Sequence, residues 1–317
     1  MNIYKVIKSS YLFLVLLILS IPFNLFAKTV DIPFDGSSVD TSDLSSNIHW
    51  TLTPENTYYY QADSEDGCEF NILLVTKKTF QVGVNDTQNR VVLDREWLLE
   101  DVACEDAIDD ENSENHIGNA ILMEYTADFY AQDMYANIWY FGENTWSQCD
   151  DDEPDECEKV PVNGNNYFGD PSGSWLSGEG EDPEEGIENA KEGIVMLENP
   201  RKGDRYQQEY WEDEAEDWGA VVRLSAKHEG LTCLKTKEWT PLEPGHIEHK
   251  FYCDGVLTFI EELHGQTTNV NLVNNITGLP CLDIPEMLTG EDDYNDDSFT
   301  EVAVMLLDEC SGTDPDD

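Results

Sequence analysis

The sequence has little positive charge: 17 lysines and arginines stand against 67 aspartates and glutamates in 317 residues, a formal net charge of −50 at pH 7. A chain of this charge repels the phosphates of nucleic acid and the head groups of anionic lipids. The composition therefore argues against a nucleic-acid partner and against binding to an anionic membrane surface.

Motifs for metal binding and nucleophilic catalysis are scarce as well. The chain has six histidines, and it lacks the C-x-x-C spacing that would favour a zinc site over disulfides. His246 and His249, three positions apart on a predicted strand, would face opposite sides of the sheet. There is no G-x-S-x-G elbow, and Ser174 lies outside that context. The sequence favours a non-enzymatic protein without a cofactor, although a glycosidase-type carboxylate pair stays open among so many acids.

The first 27 residues have the pattern of a secretory signal peptide. Lys5 and Lys8 precede an apolar run over residues 11–27 that ends on the small residue Ala27. Cleavage is predicted after Ala27, with Ser20 as the alternative position. An uncleaved membrane anchor is the competing interpretation, but polar residues and a proline interrupt the run before it reaches the roughly 20 apolar residues of a spanning helix. We predict export to the periplasm or the extracellular medium, with no membrane insertion after cleavage.

All eight cysteines lie in the part of the chain that would be exported. An even number of cysteines in an oxidising compartment favours disulfides, with many possible connectivities. Their order along the chain suggests four local pairs: Cys68 with Cys104, Cys149 with Cys157, Cys233 with Cys253, and Cys281 with Cys310.

Short segments of period-two alternation bounded by turn residues predict β structure. The clearest lies at residues 231–273, where Leu231–Trp239 and His246–Cys253 flank turn-forming residues. Two strands hinged there would place Cys233 opposite Cys253, the geometry that a cross-strand disulfide requires. Two further strands, over 256–264 and 267–273, would complete a four-stranded meander.

A second hairpin is predicted over residues 121–142, with its turn at 133–137. Other predicted strands are Tyr58–Gln61, Phe70–Lys78, Val91–Leu98, Ile194–Leu197, Tyr206–Trp211 and Ala220–Ala226. So many strands with little helix predict an all-β protein whose antiparallel sheet curls into a half-barrel or open barrel.

Acidic runs separate the predicted strands. They suggest disordered acidic loops near residues 105–115, 149–160 and 178–190, because such runs bury no apolar area. The predicted organisation is a signal peptide over 1–27, a β-rich domain over 28–280 that carries these insertions, and an acidic carboxyl-terminal tail over 281–317.

Five segments together resemble a group of uncharacterised exported bacterial proteins, over roughly residues 45–275. These segments are Asp128-Phe-Tyr-Ala-Gln-Asp133, Asn137-Ile-Trp-Tyr-Phe-Gly142, Gly203-Asp-Arg-Tyr-Gln-Gln-Glu-Tyr210, Glu214-Ala-Glu-Asp217 and Lys237-Glu-Trp-Thr-Pro-Leu-Glu-Pro244. The group usually has glycine where this chain has Ala136. The resemblance implies a β-rich fold similar to the half-barrels of periplasmic lipid carriers, and it brings no established activity.

Calcium is the one metal that the composition favours, because hard cations take carboxylate oxygens. A loop between Cys149 and Cys157 gathers four candidate ligands: Asp150, Asp151, Asp152 and Asp155. Solvated charge is the alternative interpretation of this loop. An EF-hand over residues 293–304 is excluded, since Ser298 and Val304 stand where glycine and glutamate belong.

Aromatic residues are frequent in the predicted strands. On a curled sheet some of them would line a concave face for an apolar ligand or a glycan, whereas others would fill the core. The candidate ligand-binding residues are Tyr130, Trp139, Phe141, Tyr206, Trp211, Trp239 and Phe251. The sequence thus predicts an exported acidic protein that binds an apolar or amphipathic ligand. A calcium-dependent surface or matrix protein and a secreted glycan hydrolase are the alternatives.

Overall fold

The computed structural model describes residues 28–54, 56–64, 66–83, 87–107, 119–147, 160–162, 166–168, 174–178, 180, 189–228, 230–245, 247–253, 261–263, 266–268 and 271–272. Within these residues the chain is almost entirely β structure, which confirms the predicted all-β class with a curled antiparallel half-barrel sheet. The helix described is one 3-10 turn at Cys104–Asp106. In this part of the chain no helix has the length and apolar character that a membrane crossing requires.

The strands follow in chain order, and all of them take part in sheets. They are β1 (Lys28–Thr29), β2 (Thr57–Asp63), β3 (Gly67–Val82), β4 (Thr87–Glu100), β5 (Ile121–Gln132), β6 (Ile138–Ser147), β7 (Val160–Val162), β8 (Asn166–Phe168), β9 (Trp175–Leu176), β10 (Lys191–Met196), β11 (Asp204–Gln207), β12 (Glu209–Tyr210), β13 (Trp218–His228), β14 (Leu231–Trp239), β15 (Phe251–Cys253), β16 (Glu261–Leu263), β17 (Gln266–Thr268) and β18 (Asn271–Leu272).

The larger sheet has nine strands and is built around consecutive hairpins. Its order is β12-β10-β6-β5-β4-β3-β2-β18, and β9 pairs with β6. The hairpin predicted over residues 121–142 is confirmed as β5 and β6. The carboxylate of buried Asp133 holds its turn, accepting hydrogen bonds from the backbone nitrogens of Tyr135 (2.8 Å) and Asn137 (2.9 Å) and from Trp139 Nε1 (3.0 Å).

Ala136 has a positive φ of 62° in this turn. This left-handed conformation suits glycine better than alanine, because the alanine Cβ crowds the backbone.

The smaller sheet has five strands in the order β1-β11-β13-β14-β15, with β1 parallel to β11. Cys233 and Cys253 lie directly opposite each other on β14 and β15 and form a disulfide, as the sequence predicted. The predicted pairing of the third and fourth strands of the meander is confirmed by β16 and β17. The described residues of this pair form a separate two-stranded sheet, however, and β18 joins the larger sheet beside β2 instead of extending the meander. A strand as short as β18 has too few alternating residues for its sequence to select a partner strand.

A second disulfide joins Cys68 of β3 to Cys104 of the 3-10 turn, which confirms another predicted pair. Disulfides are compatible with an exported, oxidising compartment. The predicted pairs Cys149–Cys157 and Cys281–Cys310 lie outside the described residues, as does most of each predicted acidic loop.

The chain passes from one sheet to the other between β11 and β12, at Gln208. The backbone of Gln208 lies so close to β10 that a Cβ at Gly193 would stand 2.2 Å from its carbonyl carbon and oxygen. Gln208 also bonds into the smaller sheet, through its nitrogen to the Asp217 carbonyl (2.7 Å) and through Nε2 to Glu238 (3.3 Å). This corner brings the edges of the two sheets together.

The two faces of the larger sheet differ in character. On β5, Ala127 and Phe129 point into the apolar core, where both side chains are almost completely buried. Trp139 and Phe141 of β6 lie on that side too, each in edge-to-face contact with Phe34 of the amino-terminal segment. The alternate positions of the same strands carry acids and hydroxyl groups instead, because successive side chains in a strand point to opposite faces.

Candidate functional site

Acids and hydroxyl groups cluster on the second face of the larger sheet, here called the polar face. Cross-strand register brings them side by side: Asp94 pairs with Thr126, Thr126 with Thr145, Asp128 with Glu143, and Tyr130 with Tyr140. The polar face is defined by Asp94 of β4, by Glu124, Thr126, Asp128 and Tyr130 of β5, and by Tyr140, Glu143 and Thr145 of β6.

A β-bulge in β6 puts Tyr140 and Glu143 on the same face. Between the pairs Asp128–Glu143 and Tyr130–Tyr140, β5 advances two residues while β6 advances three. Simple alternation would send two residues three positions apart to opposite faces. The extra residue in the bulge reverses that outcome. Gly142 within it has φ 129°, and a Cβ there would lie 2.1 Å from the carbonyl oxygen of Trp175.

The hydroxyl of Tyr140 bridges two carboxyl groups. Its oxygen lies 2.6 Å from Asp128 Oδ1 and 2.7 Å from Glu143 Oε2. A tyrosine hydroxyl has one proton to donate, and an ionised carboxylate has none. Burial raises the pKa of Tyr140 well above its usual value, so this hydroxyl keeps its proton. Both short contacts are satisfied when one of the two carboxyl groups is itself protonated and donates to the tyrosine oxygen.

The electrostatics of the polar face favour that extra proton. Burial, and then the charge of Glu143, raises the pKa of Asp128 well above its ordinary range. Burial also raises the pKa of Glu143 to about 7. Burial and the neighbouring Glu124 raise the pKa of Asp94 to about 7, although Asn71 Nδ2 donates a 2.8 Å hydrogen bond to it. Removal of water and mutual repulsion both disfavour the charged forms.

Aromatic rings border the carboxyl groups. Tyr130 and Tyr140 stack with ring centroids 4.9 Å apart, and Trp175 meets Tyr140 edge-on at 5.5 Å. Trp50 contacts Tyr130 at 5.8 Å and also Tyr252 of the smaller sheet at 5.6 Å. The rings thus link the polar face to the smaller sheet.

The smaller sheet contributes a cation near this border. Lys250 Nζ lies 3.2 Å from Glu238 Oε2 and 3.6 Å from Glu248 Oε2. Burial alone would raise the pKa of Glu238, but Lys250 and hydrogen bonds from Thr236 and Tyr252 hold it below its ordinary value. Glu238 is therefore an ionised, fully paired group, in contrast to Asp94, Asp128 and Glu143 of the polar face, whose pKa values are raised.

The described residues contain no group of three or more histidines, cysteines or acids arranged to hold a metal ion. The candidate calcium ligands Asp150, Asp151, Asp152 and Asp155 lie outside these residues, so calcium binding stays a prediction. What the polar face offers chemically is a set of hydrogen-bond acceptors and at least one shared proton, beside stacked rings.

The seven predicted ligand-binding residues do not share one surface. Tyr130 lies on the polar face, whereas Trp139 and Phe141 are buried on the opposite side of the sheet. Tyr206 is fully buried, and Trp211 is half-buried and lies against Gly180. Trp239 and Phe251 belong to the smaller sheet. A ligand role for Tyr130 is compatible with the polar face, and the role of the other six stays a prediction.

A pocket of about 400 Å³ lies away from the polar face, between the amino-terminal segment and the start of β4. Its lining residues are Phe34, Asp35, Gly36, Ser37, Val39, Thr41, Thr87 and Gln88. None of the seven predicted ligand-binding residues and none of the polar-face acids belongs to this lining.

The sequence pattern did not predict that Asp94, Asp128, Tyr140 and Glu143 lie together in one site. A chain with 67 acids gives no reason to prefer one pair, and period-two alternation separates Tyr140 from Glu143. The available signal was Gly142 inside a predicted strand, because an isolated strand glycine often marks a bulge or a close backbone approach.

No family model, curated protein or solved structure matches this chain. The resemblance to exported bacterial proteins therefore stays a prediction that rests on the five sequence segments alone.

The raised pKa values predict how stability depends on pH. The folded state keeps protons on Asp94 and Glu143 up to about pH 7, whereas their ordinary pKa values are 3.8 and 4.5. The folded protein therefore binds more protons than the unfolded chain between those limits. The free energy of unfolding should fall as pH rises through this window, by on the order of 3 kcal/mol from each of the two groups. Urea unfolding at a series of pH values measures this slope.

Asp128→Asn should flatten that slope, because the amide imitates the protonated acid and removes the proton that the folded state binds at Asp128, whose pKa burial raises. Above pH 7 the variant should be more stable than the wild type, and near pH 4.5 the two should coincide. Glu100→Gln is the control, since Glu100 is exposed at the end of β4. If the free energy of unfolding falls with pH as steeply in Asp128→Asn as in Glu100→Gln, the shared proton is contradicted.

Proposed function

We propose that this protein is an exported, non-enzymatic binding protein that holds an amphipathic ligand on the polar face of its larger sheet. The observation that carries the proposal is the hydroxyl of Tyr140 between the carboxyl groups of Asp128 and Glu143, at 2.6 and 2.7 Å, beside the stacked ring of Tyr130. Export is supported by the amino-terminal pattern and by the two disulfides.

The chemistry of the polar face selects among ligands. A purely apolar ligand would cover Asp128, Glu143 and Asp94 without giving them partners, which costs free energy. An amine or hydroxyl group on the ligand would donate to those oxygens. The faces of Tyr130 and Tyr140 would take the apolar part, and they favour a cation as well. The best ligand is therefore an amphiphile with a compact amine or polyol end.

Glycan hydrolysis is the second candidate, and one observation favours it. Asp128 and Glu143 both reach the same tyrosine oxygen, so their carboxyl groups are close, and their surroundings keep a proton between them. Retaining glycosidases use two carboxyl groups roughly 5–5.5 Å apart, one of them protonated. The binding proposal differs from this candidate in one respect, that the ligand leaves the protein chemically unchanged.

Native mass spectrometry of the protein purified from its exported fraction tests the proposal. Wild type should carry a discrete organic mass, and Tyr130→Ala should lose at least roughly tenfold in occupancy, because it removes one wall of the ring stack. Tyr135→Ala is the control, since Tyr135 is 64% exposed at the tip of the β5–β6 turn. Spectra are recorded with and without calcium.

The outcomes separate the candidates. An organic mass that is intact after incubation supports a binding protein, and a glycan that shortens on incubation supports a hydrolase. Stepwise calcium adducts without an organic mass would favour the calcium-dependent surface protein. An organic mass held equally by wild type, Tyr130→Ala and Tyr135→Ala would place the ligand elsewhere.

A further inference from the structure

One face of the smaller sheet collects basic and aromatic residues. Cross-strand register places Arg205 opposite Ala220, Ala220 opposite Lys237, Trp218 opposite Trp239, and Arg223 opposite Lys235. Directly opposed residues in neighbouring strands point to the same face. The basic face is defined by Arg205, Trp218, Arg223, Lys235, Lys237 and Trp239.

The composition of this face departs from that of the whole chain. Acids outnumber bases by 67 to 17 in the sequence, and yet none of the residues that the described registers pair on this face of β11, β13, β14 and β15 is acidic. Four of the 17 bases lie here. In a chain of net charge −50 such a patch holds a local potential opposite in sign to its surroundings.

The cations and rings are in contact. The guanidinium of Arg205 lies 4.9 Å from the ring of Trp218 and 4.9 Å from the ring of Trp239. The two indoles are nearly parallel, with an interplanar angle of 15° and centroids 6.4 Å apart. Lys237 Nζ lies 5.1 Å from the Trp239 ring. These contacts restrict the Arg205 side chain before any ligand arrives, which lowers the entropy that binding costs.

Arg205 keeps hydrogen-bonding capacity in this arrangement. Its Nε is buried, and it has no hydrogen-bond partner among the described residues. The guanidinium carries further N–H donors besides Nε, and these suffice for a charge-assisted bond to an acceptor. An oriented guanidinium with Lys237 beside it is suited to a carboxylate or sulfate group, which it binds through charge-assisted hydrogen bonds.

We propose that the basic face is a second binding site, for acidic oligosaccharides, independent of the ligand on the polar face. The carboxylate of a uronic acid would take Arg205 and Lys237. Its sugar ring would lie on the half-buried indoles of Trp218 and Trp239, whose electron-rich faces attract C–H groups. Arg223, which is exposed at the other end of the face, would meet the charge of a following sugar.

The net charge of the protein favours this ligand over nucleic acid. Single-stranded nucleic acid also uses stacked rings and cations, but it carries a charge on every nucleotide. A chain of charge −50 repels a ligand more strongly as the charge of that ligand grows. A short oligosaccharide with a few carboxylates gains the contacts of the face with less of this repulsion.

Isothermal titration of the full exported chain with a hyaluronan hexamer, in which uronic acids alternate with neutral sugars, tests the site in roughly 0.15 M salt to screen the long-range repulsion. Binding is expected, and Arg205→Gln should weaken it roughly tenfold, because it removes one charge-assisted contact. Lys237→Gln should weaken it to a similar extent. Lys227→Gln is the matched control, because Lys227 is an exposed base on β13 whose partner Thr232 faces the other side of the sheet.

Three further probes test the role of the rings. A neutral maltohexaose should not bind measurably, since it has no group for Arg205. Polyglutamate should bind at least roughly tenfold more weakly than the hexamer, because it has charge without sugar rings. Trp239→Phe keeps an aromatic ring but reduces its area. This variant should bind the hexamer more weakly than wild type and leave the circular dichroism spectrum unchanged.

The proposal is overturned by any of three results. The first is that the hexamer does not bind. The second is that Lys227→Gln lowers hexamer affinity as much as Arg205→Gln does. The third is that polyglutamate or a single-stranded hexanucleotide binds as tightly as the hexamer. Because Tyr130 lies on the other sheet, Tyr130→Ala should keep hexamer affinity, which separates failure of this site from failure of the polar-face proposal.

Discussion

Gly142→Ala should lower the free energy of unfolding by about 3 kcal/mol or more, one of the largest effects expected from a single methyl group in this chain. Gly142 has φ 129°, a conformation that L side chains rarely adopt. A Cβ at this position would lie 2.1 Å from the carbonyl oxygen of Trp175 and 2.8 Å from the Cα of Leu176, so β9 has to move away from β6. Urea unfolding measures the loss.

Gly203→Ala is the matched control for that experiment. Gly203 has a comparable φ of 92°, but nothing lies within 4 Å of a Cβ built there. Gly203→Ala should lower the free energy of unfolding by only about 1 kcal/mol, the cost of placing an alanine in this backbone conformation. The difference between the two variants isolates the contact between β6 and β9. Equal losses would mean that this contact contributes nothing to stability.

Gly142→Ala should also change the chemistry of the polar face. The bulge is what puts Tyr140 and Glu143 on one side, so a displaced bulge should separate the tyrosine hydroxyl from Glu143. The pH dependence of stability should then be shallower than in Gly203→Ala. A variant that is destabilised but keeps the full pH slope would show that the bulge is not needed for the proton-sharing pair.

Removing the disulfide between Cys68 and Cys104 should cost about 4 kcal/mol, the second large effect. The bond closes a loop of 36 residues, and the entropy that it removes from the unfolded chain grows with loop length. It ties the start of β3 to the 3-10 turn after β4, where the Cys104 nitrogen also donates to Asp63 Oδ1 at 2.6 Å. The variant is Cys68→Ala with Cys104→Ala, and urea unfolding without reductant is the measurement.

The pair Cys233 and Cys253 gives the comparison. It closes a shorter loop of 20 residues on the smaller sheet, and its removal should cost about 3 kcal/mol. Adding reductant should destabilise wild type more than either double variant, since each variant has already lost one bond. A Cys68→Ala, Cys104→Ala protein as stable as wild type would show that the native sheets alone fix this segment.

Fold class was accessible from sequence because alternation and turn chemistry act locally. Asp133 specifies its hairpin turn by accepting hydrogen bonds from the backbone nitrogens of Tyr135 and Asn137, and Cys233 and Cys253 are symmetric about their loop. The partner of β18 was not accessible, because two residues of alternating pattern carry no information on which strand they join.

The site was less accessible for a different physical reason. The proton shared by Asp128, Tyr140 and Glu143 depends on a bulge at Gly142 and on burial by Trp175, and both are products of long-range packing. Tyr130 was predicted as a ligand residue on the strength of its ring alone. The same criterion selected Trp139 and Phe141, which the register sends to the apolar core.

The central claim is that Asp128 and Glu143 of the polar face share a proton up to about pH 7. The most direct test is a carbon-13 NMR titration of the side-chain carboxyl carbons of Asp128 and Glu143, assigned through Asp128→Asn and Glu143→Gln. We predict that the pair still holds one proton at about pH 6 and releases it near or above pH 7. Two carboxyl groups that are both ionised below about pH 5 would contradict the account, because the two short contacts of Tyr140 could not then both be hydrogen bonds.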